Sequence, residues 1–441
     1  MTEGVIWKQL LGFALPLMVG LIFQQLYNTV DAIVVGKFVS MQAFAAVGST
    51  SSIINMLVGL CAGLSSGAGV VISQSYGTRD YDKLSDSVHT TMLLTFILSV
   101  IITIVGVLIV PPMLRLMATP ADVFDEARGY LTIYFAGIAG LLVYNMASGI
   151  LRAVGDSRHP LYFLIFSALV NIVFDLLFVL VFHLGVNGVA YATILSQFLS
   201  AVLVLYTLSR TDAPYALHWK KLRIDREMFR RILSIGMPSG IQQALTAFSN
   251  IFVQSYVNVF GSACMAGWAA YGKLDIFIVI PLQSLALAST TFVGQNYGSA
   301  RLSRARQGVK TAMLSSAVIT AALSALLILF AEPLVRLFND DAEAITYGVL
   351  FITFAGPFYI TMCPVQIYAG SLRGTGHAAA PMLIMLASFV AFRQLYLYVG
   401  GLCGGGLTLV ALAYPVGWVL CAVLMTIVYF RSDVAKAKDD V

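Results

Sequence analysis

Long apolar runs, parted by short polar stretches, recur twelve times along the chain. They cover residues 10–36, 46–76, 88–110, 129–151, 161–183, 187–208, 232–260, 268–297, 309–331, 346–371, 381–400 and 407–430. A helix crosses a bilayer with about 20 apolar residues, since each adds ~1.5 Å of rise. Each run is of that order. The pattern predicts an all-α polytopic membrane protein with twelve transmembrane helices and short loops, leaving no room for a soluble catalytic domain. The longest polar stretch, Ser209 to Arg231, falls near the middle and reads as a linker.

The two halves repeat. Leu11 to Pro16 resembles Leu233 to Pro238, and Gln74-Ser75-Tyr76-Gly77 resembles Gln295-Asn296-Tyr297-Gly298. Pro112-x-x-Arg115-Leu116 returns as Pro333-x-x-Arg336-Leu337. Gly149-x-Leu151-Arg152-x-x-Gly155 with Pro160 returns as Gly370-x-Leu372-Arg373-x-x-Gly376 with Pro381. Six spans per half is an even number, so the halves share one orientation. This predicts two parallel six-helix repeats around a central cavity, a plan suited to alternating access. The lobes are expected at 1–208 and 232–441, with 209–231 between them. Pro16 and Pro238 each remove a helical hydrogen bond and should bend the first and seventh spans. Gly59, Gly63 and Gly67 offer the second span a face for close packing.

Composition agrees with the pattern. The chain of 441 residues is 59% apolar and 11% charged, against about 45–50% and 25% for a soluble domain. With the termini on one side, twenty lysines and arginines fall on that side, Lys438 among them. The other side receives four: Lys37, Arg115, Arg128 and Arg336. That bias puts both termini in the cytoplasm. The net charge of +5 lies along membrane flanks, which argues against a nucleic-acid partner. The basic linker reads as an anchor beside anionic lipid. The five cysteines show neither metal spacing nor a disulfide framework. Trp7, Trp268 and Trp418 lie near span ends, where interfacial anchors sit.

Five ionisable residues fall inside spans: Asp31, Asp175, Lys273, Asp275 and Arg393. Each costs at least about 2.5–3.5 kcal/mol at depth, so such groups mark ion or substrate routes. Asp31 and Asp175 come out ~8–12 Å below the outer surface in the same lobe. Tyr27 stands four residues before Asp31, and Asn171 four before Asp175, so each acid shares a helix face with a polar partner. Thr193 lies at the same level, and Asn145 can reach inward. The set makes an oxygen nest for Na⁺ or a shared proton, with Asp31, Asn171, Asp175 and Thr193 as ligands if the ion is Na⁺. In the second lobe, matched depth suggests an Arg393–Asp275 pair, while Lys273 has no evident partner. Phe135, Tyr144, Tyr256, Tyr271, Phe354 and Tyr359 are aromatic candidates for a cation-holding cavity wall. Lys273, Asp275, Arg393 and Tyr271 are the second-lobe candidates for substrate contact.

Over residues 5–430 the chain resembles the multidrug and toxic compound extrusion (MATE) family, particularly its DinF-like bacterial branch. The resemblance rests on Val30-Asp31-x-x-x-x-Gly36, on the Gln-x-Tyr-Gly and Leu-Arg-x-x-Gly blocks, and on Asn171-x-x-x-Asp175 with Gly185-x-x-Gly188 and Ala192-Thr193. It implies export of organic, often aromatic cations in exchange for H⁺ or Na⁺, from a bacterial plasma (inner) membrane. It also implies a first-lobe site of Tyr27, Asp31, Asn145, Asn171, Asp175 and Thr193. The second-lobe acids of the NorM-like branch are not matched: Ala244 stands between Gln243 and Leu245, and Thr346 to Leu372 holds no acid.

An alternative in the same superfamily is a flippase of a lipid-linked precursor, which would favour a basic cavity where this first lobe is acidic. An intramembrane enzyme would need a metal motif or a nucleophile–base pair, and none is found inside the spans. No Gly-x-x-x-x-Gly-Lys-Ser/Thr run is present, so ATP is not expected to be hydrolysed by this chain. The expected protein is a monomer in the lipid bilayer, without cofactor apart from its coupling ion.

Overall fold

The computed structural model describes residues 1–117 and 119–437; Lys438, one of the basic residues counted above, lies outside them. Among the described residues are twelve long helical rods: α1 (Ile6–Phe38), α2 (Met41–Thr78), α3 (Tyr81–Leu116), α4 (Ala121–Ala136 with Ile138–Ala153), α5 (Arg158–Val181), α6 (Gly185–Arg210), α7 (Arg226–Asn258), α8 (Ser262–Gly298), α9 (Leu302–Leu329), α10 (Ala342–Gly374), α11 (Ala379–Leu402) and α12 (Leu407–Arg431). Ten are long and apolar enough to cross a membrane, and α4 makes an eleventh if its two segments, bent by 46°, form one span. The remaining rod, α7, has 33 residues but carries Arg226, Glu227, Arg230, Arg231, Gln242 and Gln243. Its apolar character is diluted rather than its length. The all-α, two-repeat layout stands.

The rods gather into two compact units. One comprises Pro16–Met237; the other comprises Met1–Leu15 with Pro238–Val441. The expected lobes, 1–208 and 232–441, therefore differ from the compact units in where the first helix of each half is divided. Both divisions fall at the repeated prolines. In the first unit the leading part of α7 lies against α2 so closely that a Cβ on Gly67 would run into the backbone of Gly236 and Ile232. Arg231 donates to Gln74 Oε1 at 2.6 Å. In the second unit the opening residues lie on α8 and α9: Arg301 donates to Thr2 O at 2.6 Å and Arg304 to Gly4 O at 2.8 Å. The stretch expected as a linker is fastened along the start of α3. His218 N donates to His89 Nε2 at 3.0 Å, Arg223 to Asp86 at 2.7 Å, and Trp219 stacks on Phe96 at 5.9 Å.

Within each unit the packing follows one scheme. In the first, α2 packs on α3 and α4, and α6 on α4 and α5; in the second, α8 packs on α9 and α10, and α12 on α10 and α11. Local geometry repeats as well. Gly155 and Gly376, which close the Leu-Arg-x-x-Gly blocks, take φ of +101° and +95°, a region open to glycine at little cost. Each follows a helix end that is closed by backbone bonds, Asp156 N to Leu151 O and His377 N to Leu372 O, both 2.9 Å. The fourth rod of each half breaks midway, at Gly137 in α4 and at the 3₁₀ segment Gly356–Thr361 in α10. The fifth rod of each half holds a π-helical stretch, Leu177–Val181 in α5 and Leu386–Phe392 in α11. Such wide turns are rare and often sit at functional sites.

Candidate functional site

The first unit brings the two acids together. Tyr27 and Asp31 project from α1, Asn171 and Asp175 from α5, and the carboxyl groups of Asp31 and Asp175 lie against each other. Asp175 is 0% exposed and Asn171 1%. Asp175 sits two residues before the π-helical stretch of α5. Among the described residues, Asp31 Oδ1, both carboxyl oxygens of Asp175, and Oδ1 and Nδ2 of Asn171 are buried with no partner at hydrogen-bonding geometry. Tyr27 lies close to Asp31, Tyr134 and Tyr144.

Thr193 and Asn145 are placed differently. Thr193 is buried, but its hydroxyl donates to Val189 O of its own helix at 2.9 Å. Asn145 Nδ2 donates to Leu141 O at 2.9 Å, and its backbone carbonyl accepts from Ser65 Oγ at 2.8 Å. Neither side chain hydrogen-bonds to either acid among the described residues. Sequence reasoning also missed neighbours that the fold supplies. Tyr130 lies within electrostatic reach of Asp31, Asp175 and Tyr27, and its ring stacks on Tyr134 at 6.5 Å. Tyr134 in turn lies close to Gln197 of α6. The signal available was the spacing of four between Tyr130 and Tyr134, which places them on one helix face.

A buried carboxylate without a donor or counter-charge is costly, and two in contact repel each other as well. Oxygens used as a structural tie would be matched to donors. Here they converge unmatched, which fits a site completed by a proton or a small hard cation. The donor set (two carboxylates and an amide oxygen) suits Na⁺ over a softer metal.

The second unit does not form the expected ion pair. Arg393, 2% exposed and directly after the π-helical stretch of α11, donates to Ser249 Oγ and Asn250 Oδ1 at 2.8 Å each and lies 4.6 Å over the Tyr414 ring. Asp275 instead accepts from the Tyr359 hydroxyl, which is 3.1 Å from that of Tyr271. The Arg393–Asp275 pair is thus replaced by two separate partnerships. Depth had matched the two residues; their directions around the helices differ. Lys273 is exposed and makes no ion pair among the described residues. Trp268 and Trp418 are not interfacial anchors: Trp418 is 7% exposed against Tyr359, and Trp268 packs on Tyr271, Phe351 and Tyr414.

Comparison with known proteins adds to this geometry. A family model described as MatE matches residues 16–177 and again 238–399, one match per half. The chain is 29% identical over 398 residues to "Probable multidrug resistance protein YoeA" of Bacillus subtilis (strain 168), covering 87% of this chain and 85% of that protein. It is 24% identical over 416 residues to "Probable multidrug resistance protein NorM" of Thermotoga maritima, covering 92% and 89%. A solved structure described as the outward-facing conformation of a multidrug resistance MATE family transporter of the MOP superfamily shares the fold, with a TM-score of 0.92, 23% identity, and 99% and 98% of the two chains covered.

Proposed function

This chain belongs to the MatE family, and from that premise we propose that it exports small organic cations in exchange for H⁺ or Na⁺ by alternating access. It is a membrane transporter of the multidrug efflux type and not an enzyme. We place it in the bacterial inner membrane with both termini in the cytoplasm.

The reading of the coupling step is supported by one observation above the others: the Asp31–Asp175 contact with its unpartnered carboxyl and amide atoms. A proton or Na⁺ arriving there neutralises the repulsion; its departure restores it. A site of this kind is stable when loaded and strained when empty, so loading can bias a two-state transporter. The coupling ion is cargo, bound on one side and released on the other. Tyr27, Tyr130 and Asn171 frame the acids, and Thr193 and Asn145 would join only by giving up the bonds they make to their own helices.

The test is transport in proteoliposomes with imposed pH or sodium gradients and ethidium as the probe. Asp31→Asn keeps the shape and removes one charge, so export should fall to background while folding and insertion persist. Asp175→Asn should do the same, and the double variant should be little worse than either single one, since the acids act as one unit. Wild-type export by Asp31→Asn at equal expression would reduce the cluster to a tie between helices. A sodium-dependent rise in thermal stability, lost in both variants, would identify Na⁺; its absence beside pH-driven export would identify H⁺.

A further inference from the structure

Asp275 of α8 takes no part in the first-unit cluster, yet it is built into a chain of its own. Its Oδ1 accepts from the Tyr359 hydroxyl, and the Tyr359 and Tyr271 hydroxyl oxygens are 3.1 Å apart. A phenol has one proton to give. Tyr359 gives its proton to Asp275, so Tyr271 must donate to Tyr359. The order Tyr271→Tyr359→Asp275 carries the acid in its ionised form. With a proton on Asp275 the same oxygens are satisfied in reverse: the acid donates to Tyr359, and Tyr359 to Tyr271. Only hydroxyl rotations separate the two arrangements.

The surroundings select the ligand. Tyr359 and Phe351 are each 1% exposed and Tyr271 5%. Trp268 stands 5.2 Å from Tyr271 and 4.9 Å from Phe351, ring centre to ring centre, and Trp418 stands 5.1 Å from Tyr359. Rings packed this closely leave no space for an organic cation. A metal ion would want several oxygens with lone pairs directed at it, whereas Tyr359 directs a proton at the carboxylate. A proton needs neither volume nor further ligands.

Among the described residues, no cation pairs with Asp275. Arg393 is engaged with Ser249, Asn250 and Tyr414 and makes no ion pair with Asp275. Tyr414 is the group within electrostatic reach of both Arg393 and Asp275. Lys273, two residues from Asp275, is exposed and points away from it around the helix.

We propose that Asp275, Tyr359 and Tyr271 form a second proton-binding site, housed in the second unit, so that one chain carries two separate protonatable centres. The site stands by itself; its use in the transport cycle rests on the antiport reading above.

Difference infrared spectroscopy of the purified full-length protein, taken between alkaline and acidic buffer, tests it. The wild type should show a carboxylic C=O band on acidification that Asp275→Asn removes. The band should persist in the Asp31→Asn/Asp175→Asn double variant. Tyr359→Phe keeps the ring packing and removes both hydrogen bonds of that hydroxyl, the one to Asp275 and the one with Tyr271, so it should shift the band without abolishing it. Identical bands in wild type and Asp275→Asn would overturn the site, and an unmoved band in Tyr359→Phe would overturn the relay. Since the readout is spectroscopic, normal export by Asp31→Asn would defeat the antiport reading and leave this result intact.

Discussion

Arg393 shows how a buried charge is settled by direction around a helix as much as by depth. Its guanidinium finds a hydroxyl, an amide oxygen and an aromatic face, and that set replaces a carboxylate. Hydrogen bonds to a charged group contribute about 1.5–3 kcal/mol each, and their loss leaves buried partners stranded. Arg393→Gln should therefore lower the thermal midpoint in detergent by several degrees while leaving the ion dependence of export unchanged. Arg393→Lys should recover only part of the loss, because an ammonium lacks the planar fork and stacks poorly on Tyr414. A thermal-shift series checks both; an unaltered midpoint in Arg393→Gln would remove the structural role. Legibility at this scale was uneven. The Tyr27–Asp31 and Asn171–Asp175 pairs were readable because i,i+4 spacing on a helix fixes a shared face. Tyr130, Tyr134 and Gln197 were not, since aromatic and amide residues in spans are common and only the folded α4 and α6 bring Tyr130 beside the acids and Tyr134 beside Tyr27 and Gln197.

Helices in this chain are tuned at a few points where backbone geometry, not hydropathy, decides. Gly67 lets α2 touch the leading part of α7, and a side chain there meets fixed backbone rather than a movable tip. Gly67→Val should cost about 1–3 kcal/mol as an overpacked contact, read as reduced yield and a lower midpoint, with Gly48→Val as the comparison, since a Cβ there meets nothing within 4 Å. Gly155 and Gly376 should each lose roughly 1–2 kcal/mol on replacement by alanine, because their φ values lie where a Cβ is resisted. Equal losses in the two halves would be the thermodynamic form of the repeat; a loss in one half alone would contradict it. The wide turns in α5 and α11 and the 3₁₀ segment in α10 carry no hydropathy signature, which is why the sequence reads them as uninterrupted spans. They nonetheless adjoin or contain Asp175, Arg393 and Tyr359.

For the whole molecule, rod number and internal duplication were legible because a bilayer imposes one length on every crossing and a duplication leaves paired blocks in register. The cut between compact units was not, because contacts at Pro16 and Pro238 are a property of packing that no local pattern encodes. Orientation is open to direct measurement. In a background without the five native cysteines, a cysteine at Ser209 should resist a membrane-impermeant label applied from outside, and one at Thr119 should react with it. Labelling of position 209 from outside would invert the topology. The division at the prolines also bears on biogenesis. Residues 1–15 leave the ribosome before residues 16–237, yet the helices they fold with, from residue 238 onward, come after all of these. The first unit can close as soon as the start of α7 has been made, while the opening turns of α1 must wait, ungathered, for the remainder of the chain. Separately synthesised halves would therefore each lack one half-helix of a compact unit and would have to find each other before either could be finished.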